Sequence, residues 1–408
     1  MVWLKPSVQG ACPSGRGGCA SAVVGDMCLF IGGADRSPRA FDDVWVLKLT
    51  ATTEGWVGGG QPTHPDHAIA GRWVKKTTTV RGGSRLPERT GATATAVGRK
   101  VYVFGGQEPT RGVAFNDVVV LDCTTWEWSR LEVSGPSPPP RHSHVACSAL
   151  GGRLLVVYGG AGGDGEGPLG DVHVLDLREG AERWTRPRVT GQAPEPREMA
   201  AACMLPTSSW EDLSRGGGGG GGDDDDVETS SDGDREMLVV GGRGRGGVLC
   251  GAMVLDTREM SWTRRGSLTS GPLCAHTVVP WIVGGSTAAK PAALVFGGFT
   301  GAALCPPEPL TVEGSTLTTL THPAERAKGA SEETFVPAPR FAHAAVPLPA
   351  NVLRGLRGAR AGMLVFAGVS PAFDLDDLAV WVDVDPAAAV SPDSGPGGPA
   401  AVPAADLD

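Results

Sequence analysis

Short, wholly apolar runs alternate along this chain with clusters of glycine and polar residues, and the runs recur. Lys100–Gly106 reads KVYVFGG, four apolar residues leading into a glycine pair. The phrase returns as Met27–Gly33 (MCLFIGG), Leu154–Gly160 (LLVVYGG), Met237–Gly242 (MLVVGG), Ala293–Gly298 (ALVFGG) and Met363–Gly368 (MLVFAG), with Ala367 for the first glycine in the last. Apolar residues at consecutive positions, stopped by glycine after four or five, predict β-strands buried on both faces. A self-similar unit every 50 to 80 residues or so predicts a repeat architecture.

Three other pieces accompany each glycine-ended strand. Upstream stands an arginine followed by small and apolar residues, at Arg16, Arg89, Arg141, Arg197 and Arg340; the fifth unit has Leu273 at that place. Small residues suit a crowded inner strand where radial sheets converge. Nine to 11 residues past the second glycine comes a short apolar strand, usually opened by aspartate: Asp43-VWVL, Asp117-VVVL, Asp171-VHVL, Ala252-MVL and Asp377-LAVW. A tryptophan follows closely at Trp128, Trp184 and Trp262, and after a long insertion at Trp73. Each unit therefore reads as four strands: small inner a, glycine-ended b, aspartate-opened c and tryptophan-bearing outer d.

The ends of the chain complement one another. The sixth unit has a, b and c strands but no d strand, while Trp3 lies 13 residues before Arg16, the spacing of Trp128 to Arg141 and of Trp184 to Arg197. The expected fold is all-β, a six-bladed propeller over residues 1–383, closed by an N-terminal outer strand that completes the C-terminal blade. A Gly/Asp-rich insert at about 206–235 in blade four and a Pro/Ala-rich tail at 384–408 are expected to be flexible and disordered.

Composition adds limits. Sixty-one glycines and 33 prolines fit many short strands and tight turns, and the formal charge of −9 argues against nucleic-acid binding. Nine scattered cysteines without CxxC spacing read as reduced thiols of a cytoplasmic protein. No apolar h-region opens the chain and no stretch of 18 apolar residues occurs, so neither a signal peptide nor membrane insertion is expected.

The arginine column and the b–c loops are expected at one mouth of the ring. A ring of guanidiniums offers bidentate donors to carboxylates of a partner; alternatively each arginine ties a turn by bonding backbone carbonyls or the aspartate of the c strand. The second reading is favoured, because the position repeats with the fold. The candidate partner-binding residues are Arg16, Arg89, Arg141, Arg197 and Arg340 in the column, with Asp35, Gln107, Arg243, Arg245 and Phe299 in the b–c loops. Arg36, Glu108 and Asp164 are further loop candidates. His144, His276 and His343 share one inner-strand position and could ligate a metal, but bonding to backbone is the favoured reading. His64 and His67 form a lone HxxH, too little for a metal site. Tyr102 and Tyr158 occupy core positions of b strands; GxSxG and GxxxxGK motifs are absent. The chain is expected to be a monomeric, non-catalytic module without cofactor.

These motifs resemble the kelch-repeat family of six-bladed propellers, marked by a glycine pair, a downstream aromatic and an outer tryptophan, over about residues 1–383. The layout is most similar to single-domain kelch effectors of Rab small GTPases, which implies a protein partner, with an acidic surface or a small GTPase in vesicle traffic. Ubiquitin-ligase substrate receptors and a tRNA-modifying enzyme's propeller also resemble it. They supply the alternative of a metal-dependent enzyme or a specificity domain.

Overall fold

The apolar runs form strands because each can be covered on both sides by a neighbouring sheet. In the computed structural model, which describes residues 2–52, 68–83, 87–163, 165, 167–206, 235–268, 271–283, 290–306, 310–313, 316–319, 335–356 and 358–384, every b strand lies in the middle of an antiparallel sheet. The first sheet runs from inner Ala20–Val24 through Met27–Ile31 and Val44–Ala51 to outer Ile69–Lys76. Six sheets of four or five strands share this order, together with two small two-stranded ribbons. Their innermost strands touch their neighbours all the way round, the last (Ala344–Pro347) lying against the first (Ala20–Val24). The molecule is a β-propeller.

Three closed circuits hold it. Six hydrophobic clusters each fill the space between two adjacent sheets, which is why residues such as Leu29, Val157 and Leu294 are buried with no polar alternation. At the inner rim, each unit's N–H donates to the preceding unit's carbonyl: Gly18 to Ala342, Gly91 to Gly18, Ser143 to Gly91, Met199 to Ser143, Ala275 to Met199 and Ala342 to Ala275. A second circuit joins the last residue of each glycine pair to the next unit's arginine position: Gly33 to Arg89, Gly106 to Arg141, Gly160 to Arg197, Gly242 to Leu273, Gly298 to Arg340 and Gly368 to Arg16.

The glycine pair follows from that second circuit. The first member has φ near +60°, as at Gly105 (63°), and Ala367 occupies it at 62°. An L-residue reaches this left-handed basin at a modest cost. The second member sits at 91° (Gly106) to 103° (Gly368), outside the basin open to side chains, and is glycine in every unit.

Val2–Leu4 pairs antiparallel with Leu378–Val384, setting Trp3 opposite Trp381. Trp3 is buried, with its ring 5.0 Å from that of Phe296 in the fifth sheet. Trp3→Ala is predicted to lower unfolding free energy by about 3 kcal/mol, as truncation of a buried aromatic does. An unchanged urea midpoint would show that the strand contributes nothing to the ring.

Five sheets carry the column arginine. The fifth sheet, Thr277–Val283 with Lys290–Phe296, lacks it and also lacks the outer-strand tryptophan; its outer strands, Leu310–Glu313 and Thr316–Thr319, were not foreseen. Also unforeseen are short strands that leave one sheet and pair in parallel with the outer strand of the next: Ser7–Gln9 on Ile69–Lys76, Thr79–Val80 on Glu127–Arg130, and Thr190–Gly191 on Ser261–Ser267. One helix among the described residues, Ala350–Gly355, connects the a and b strands of the sixth unit. No helix of the described residues is long and apolar enough to cross a membrane. The Gly/Asp-rich insert, the Pro/Ala-rich tail, His64, His67 and Asp164 lie outside the described residues.

Candidate functional site

The arginine, the glycine pair and the start of the c strand converge at one edge of each blade. In the third unit Arg141 donates from Nη1 and Nη2 to Asp171 (2.8 and 2.9 Å), from Nη1 to the Gly159 carbonyl (3.0 Å) and from Nε to the Pro139 carbonyl (3.2 Å). Arg16 with Asp43, Arg89 with Asp117 and Arg340 with Asp377 repeat this arrangement. All four guanidiniums are buried. Burial alone would push the carboxyls of Asp43, Asp117 and Asp171 up; the arginine's bonds and charge, joined at Asp171 by His173, hold all three below the ordinary carboxylate range. The donors of Arg16, Arg89, Arg141 and Arg340 are thus spent inside their own blades, in the tie that the sequence reading favoured over partner binding. Arg197 is buried too, and differs in its partners.

The surface of this edge is set one residue further along. The residue after each column position bridges the residue after each glycine pair: Gly17 to Ala34, Thr90 to Gln107, His142 to Ala161, Glu198 to Arg243, Cys274 to Phe299 and Phe341 to Val369. These pairs vary in chemistry while the frame beneath them repeats. Gln107, Arg243 and Phe299 belong to this ring as expected. Asp35 does not: its carboxylate accepts from the Ser37 N–H and hydroxyl and from the Arg39 N–H, holding its own loop and lowering its pKa through those bonds. Glu108 does the same for Thr110 and Arg111. Arg36 reaches across to the sixth unit, donating to the Ser370 and Pro371 carbonyls and pairing with Asp374. Arg245 is exposed at the turn of the ribbon Arg243–Gly244 with Gly247–Val248.

Between the fourth, fifth and sixth units this edge opens into a groove of about 660 Å³. Val248, Phe299, Leu304, Phe341 and Pro371 line it, with Arg243 as its charged residue. The rings of Phe299 and Phe341 lie 6.5 Å apart, and Phe373, two residues from Pro371, is 69% exposed. Sequence reasoning found Phe299 and Arg243 but missed Phe341, Leu304 and Phe373. For Phe341 a signal existed, an aromatic immediately after a column arginine.

The inner-strand histidines His144, His276 and His343 all line the central cavity of about 360 Å³. His144 Nε2 pairs with the Thr93 hydroxyl (2.9 Å) and His343 Nε2 with the Thr277 hydroxyl (2.7 Å), each on the preceding blade. At His276 the corresponding residue is Ala201. The partners expected from sequence were backbone groups; at His144 and His343 the observed ones are hydroxyls, whereas His276 faces the Val240 backbone. No cluster of three metal-ligating side chains occurs among the described residues.

Residues 66–210 match the KLHDC2/KLHL20/DRC7 Kelch-repeats domain. That stretch carries kelch repeats, and the chain folds as a β-propeller. Among curated proteins the chain is 28% identical over 234 residues to acyl-CoA-binding domain-containing protein 4 of Arabidopsis thaliana, covering 48% of this chain and 34% of the relative. It is 39% identical over 114 residues to dynein regulatory complex subunit 7 of Chlamydomonas reinhardtii, covering 28% and 10%. It is 34% identical over 154 residues to serine/threonine-protein phosphatase BSL2 of Arabidopsis thaliana, covering 37% and 14%. The chain thus spans about a third or less of the length of these relatives.

Proposed function

We propose that this kelch propeller is a six-bladed, non-catalytic interaction module that holds a protein partner on its b–c loop face, with Val2–Leu4 closing the ring. The observation that carries this reading is the apolar groove at Phe299 and Phe341, built from loop residues over a frame whose buried arginines, Arg197 apart, are paired with aspartates of their own blades. Half-buried aromatics beside an arginine are the residue types that anchor protein interfaces. The partner supplies an apolar side chain to the groove and acidic groups to Arg243 and Arg245. A GTP-loaded small GTPase is one such partner to test, on the strength of resemblance alone.

Affinity purification of the full chain, with and without GTP-loaded GTPases, tests the reading. Phe299→Ala, and Arg243→Glu with Arg245→Glu, are predicted to lose partners that Arg99→Glu, on the opposite edge, retains. The charge reversal should change stability by no more than about 0.5 kcal/mol, as exposed substitutions usually do, and should slow association. Partners lost equally with Arg99→Glu would place binding elsewhere.

A further inference from the structure

Four units satisfy the buried arginine with their own aspartate; the fourth unit does not. Its glycine-pair N–H, that of Gly241, donates 3.0 Å to the Gly251 carbonyl, as those of Gly32, Gly105, Gly159 and Ala367 donate to Asp43, Asp117, Asp171 and Asp377. Gly251 therefore stands where the aspartate stands. Arg197 keeps the rest of the arrangement: it is 4% exposed, with Nη1 donating to the Gly241 carbonyl (2.7 Å) and Nε to the Glu195 carbonyl (3.0 Å). Among the described residues no carboxylate pairs with it. The Tyr158 hydroxyl is a hydrogen-bond partner of Arg197, but burial pushes that phenol up to about 12, so it is neutral and supplies no counter-charge.

A second cation shares the place. In the second unit Asp117 also takes Arg130 at 2.7 Å, from the residue opposite Val119. In the fourth unit Arg264 stands opposite Met253, beyond a bulge between Ala252 and Met253; it is exposed and bonded to the hydroxyl of Ser267 (3.1 Å), the residue paired with Gly251. A Cβ added to Gly251 meets nothing within 4 Å, and Gly251 is not among the residues of positive φ. The corresponding aspartates are open to solvent to varying degrees, from 11% at Asp43 and 13% at Asp171 to 23% at Asp117 and 40% at Asp377, so the position is reachable from outside.

We propose that Arg197 and Arg264 form a receptor for a carboxylate supplied from outside this chain, the aspartate or glutamate side chain of a bound protein, seated where Gly251 leaves room. A buried guanidinium without a counter-charge is costly, and a carboxylate meets its two donors in the bidentate geometry that the other four blades display. Only the source of the carboxylate rests on the reading of this edge as a protein-binding face; the receptor itself does not.

The test compares thermal unfolding of the full chain in sodium acetate and sodium chloride at equal ionic strength, for the native sequence, Gly251→Asp and Gly251→Asn. Acetate should raise the melting temperature of the native chain by several degrees over chloride. Gly251→Asp should raise it without acetate and abolish the acetate increment, and Gly251→Asn should do neither. An acetate increment of the same size in Gly251→Asp, or a gain equal in Asp and Asn, overturns the proposal. Calorimetric titration with a blocked tetrapeptide carrying one glutamate, against its glutamine counterpart, decides the source. Binding about tenfold or more tighter for glutamate, lost in Gly251→Asp, supports a protein side chain. Indifference to glutamate alongside a positive acetate result overturns the protein source and leaves a free small carboxylate.

Discussion

Arg141→Ala is expected to lower the unfolding free energy by about 3–5 kcal/mol, because it strips one partner from a buried, hydrogen-bonded ion pair. The loss is not confined to the charge. Asp171 would keep His173 but lose both guanidinium bonds, and the Gly159 and Pro139 carbonyls would lose a donor. Those carbonyls shape the b–c and d–a turns, so the edge that carries the candidate face should loosen as well. Urea denaturation of the variant, beside the double reversal at Arg243 and Arg245, checks this. If the double reversal unfolds the chain while Arg141→Ala leaves the midpoint in place, structural and surface arginines have been exchanged in this account.

Acid should weaken the fold from about pH 6.5 downward, well before carboxylates titrate. Burial drives His144 and His276 down to about 3 and His343 well below its ordinary value, each inside the ring and near other buried groups. An unfolded chain takes up these protons near pH 6.5, and the folded chain refuses them until about 3. The unfolded state therefore binds more protons throughout that window, so stability is complete above the unfolded value and falls as pH drops. Each histidine contributes a slope of up to about 1.4 kcal/mol per pH unit, so three together set a steep decline. Half-buried His142, lowered by burial, pulls the same way. The depressed pKa values of Asp43, Asp117 and Asp171 add a second loss, beginning only below the ordinary aspartate range of about 4. Urea midpoints measured at pH 7.5, 6 and 5 decide the matter; a flat profile across them rules out neutral buried histidines as the cause of acid sensitivity.

What the amino-acid sequence determined by itself is the part of the structure encoded locally and repeated. Consecutive apolar residues mark the b strands because each is covered on both sides. The glycine pair marks a backbone path that side chains cannot follow at its second position, which is also why Ala367 at the first position left the ring intact. The spacing of Trp3 to Arg16 pointed to the pairing with Leu378–Val384. The arginine column was legible as a column, and the weighing of a tie against a binding site turned on repetition alone. Tertiary structure decided which of the two it is, since burial and the contact to an aspartate about 30 residues away are not local. It also decided what sequence could not show. Leu310–Glu313 and Thr316–Thr319 carry neither the aspartate nor the tryptophan that marks a c or d strand, and only pairing with Lys290–Phe296 makes them strands. The groove joins Val248, Phe299, Phe341 and Pro371 from three units, so no window along the chain contains it. Gly251 reads as one more glycine until the fold puts it beside Arg197, where the missing side chain is that of a counter-ion.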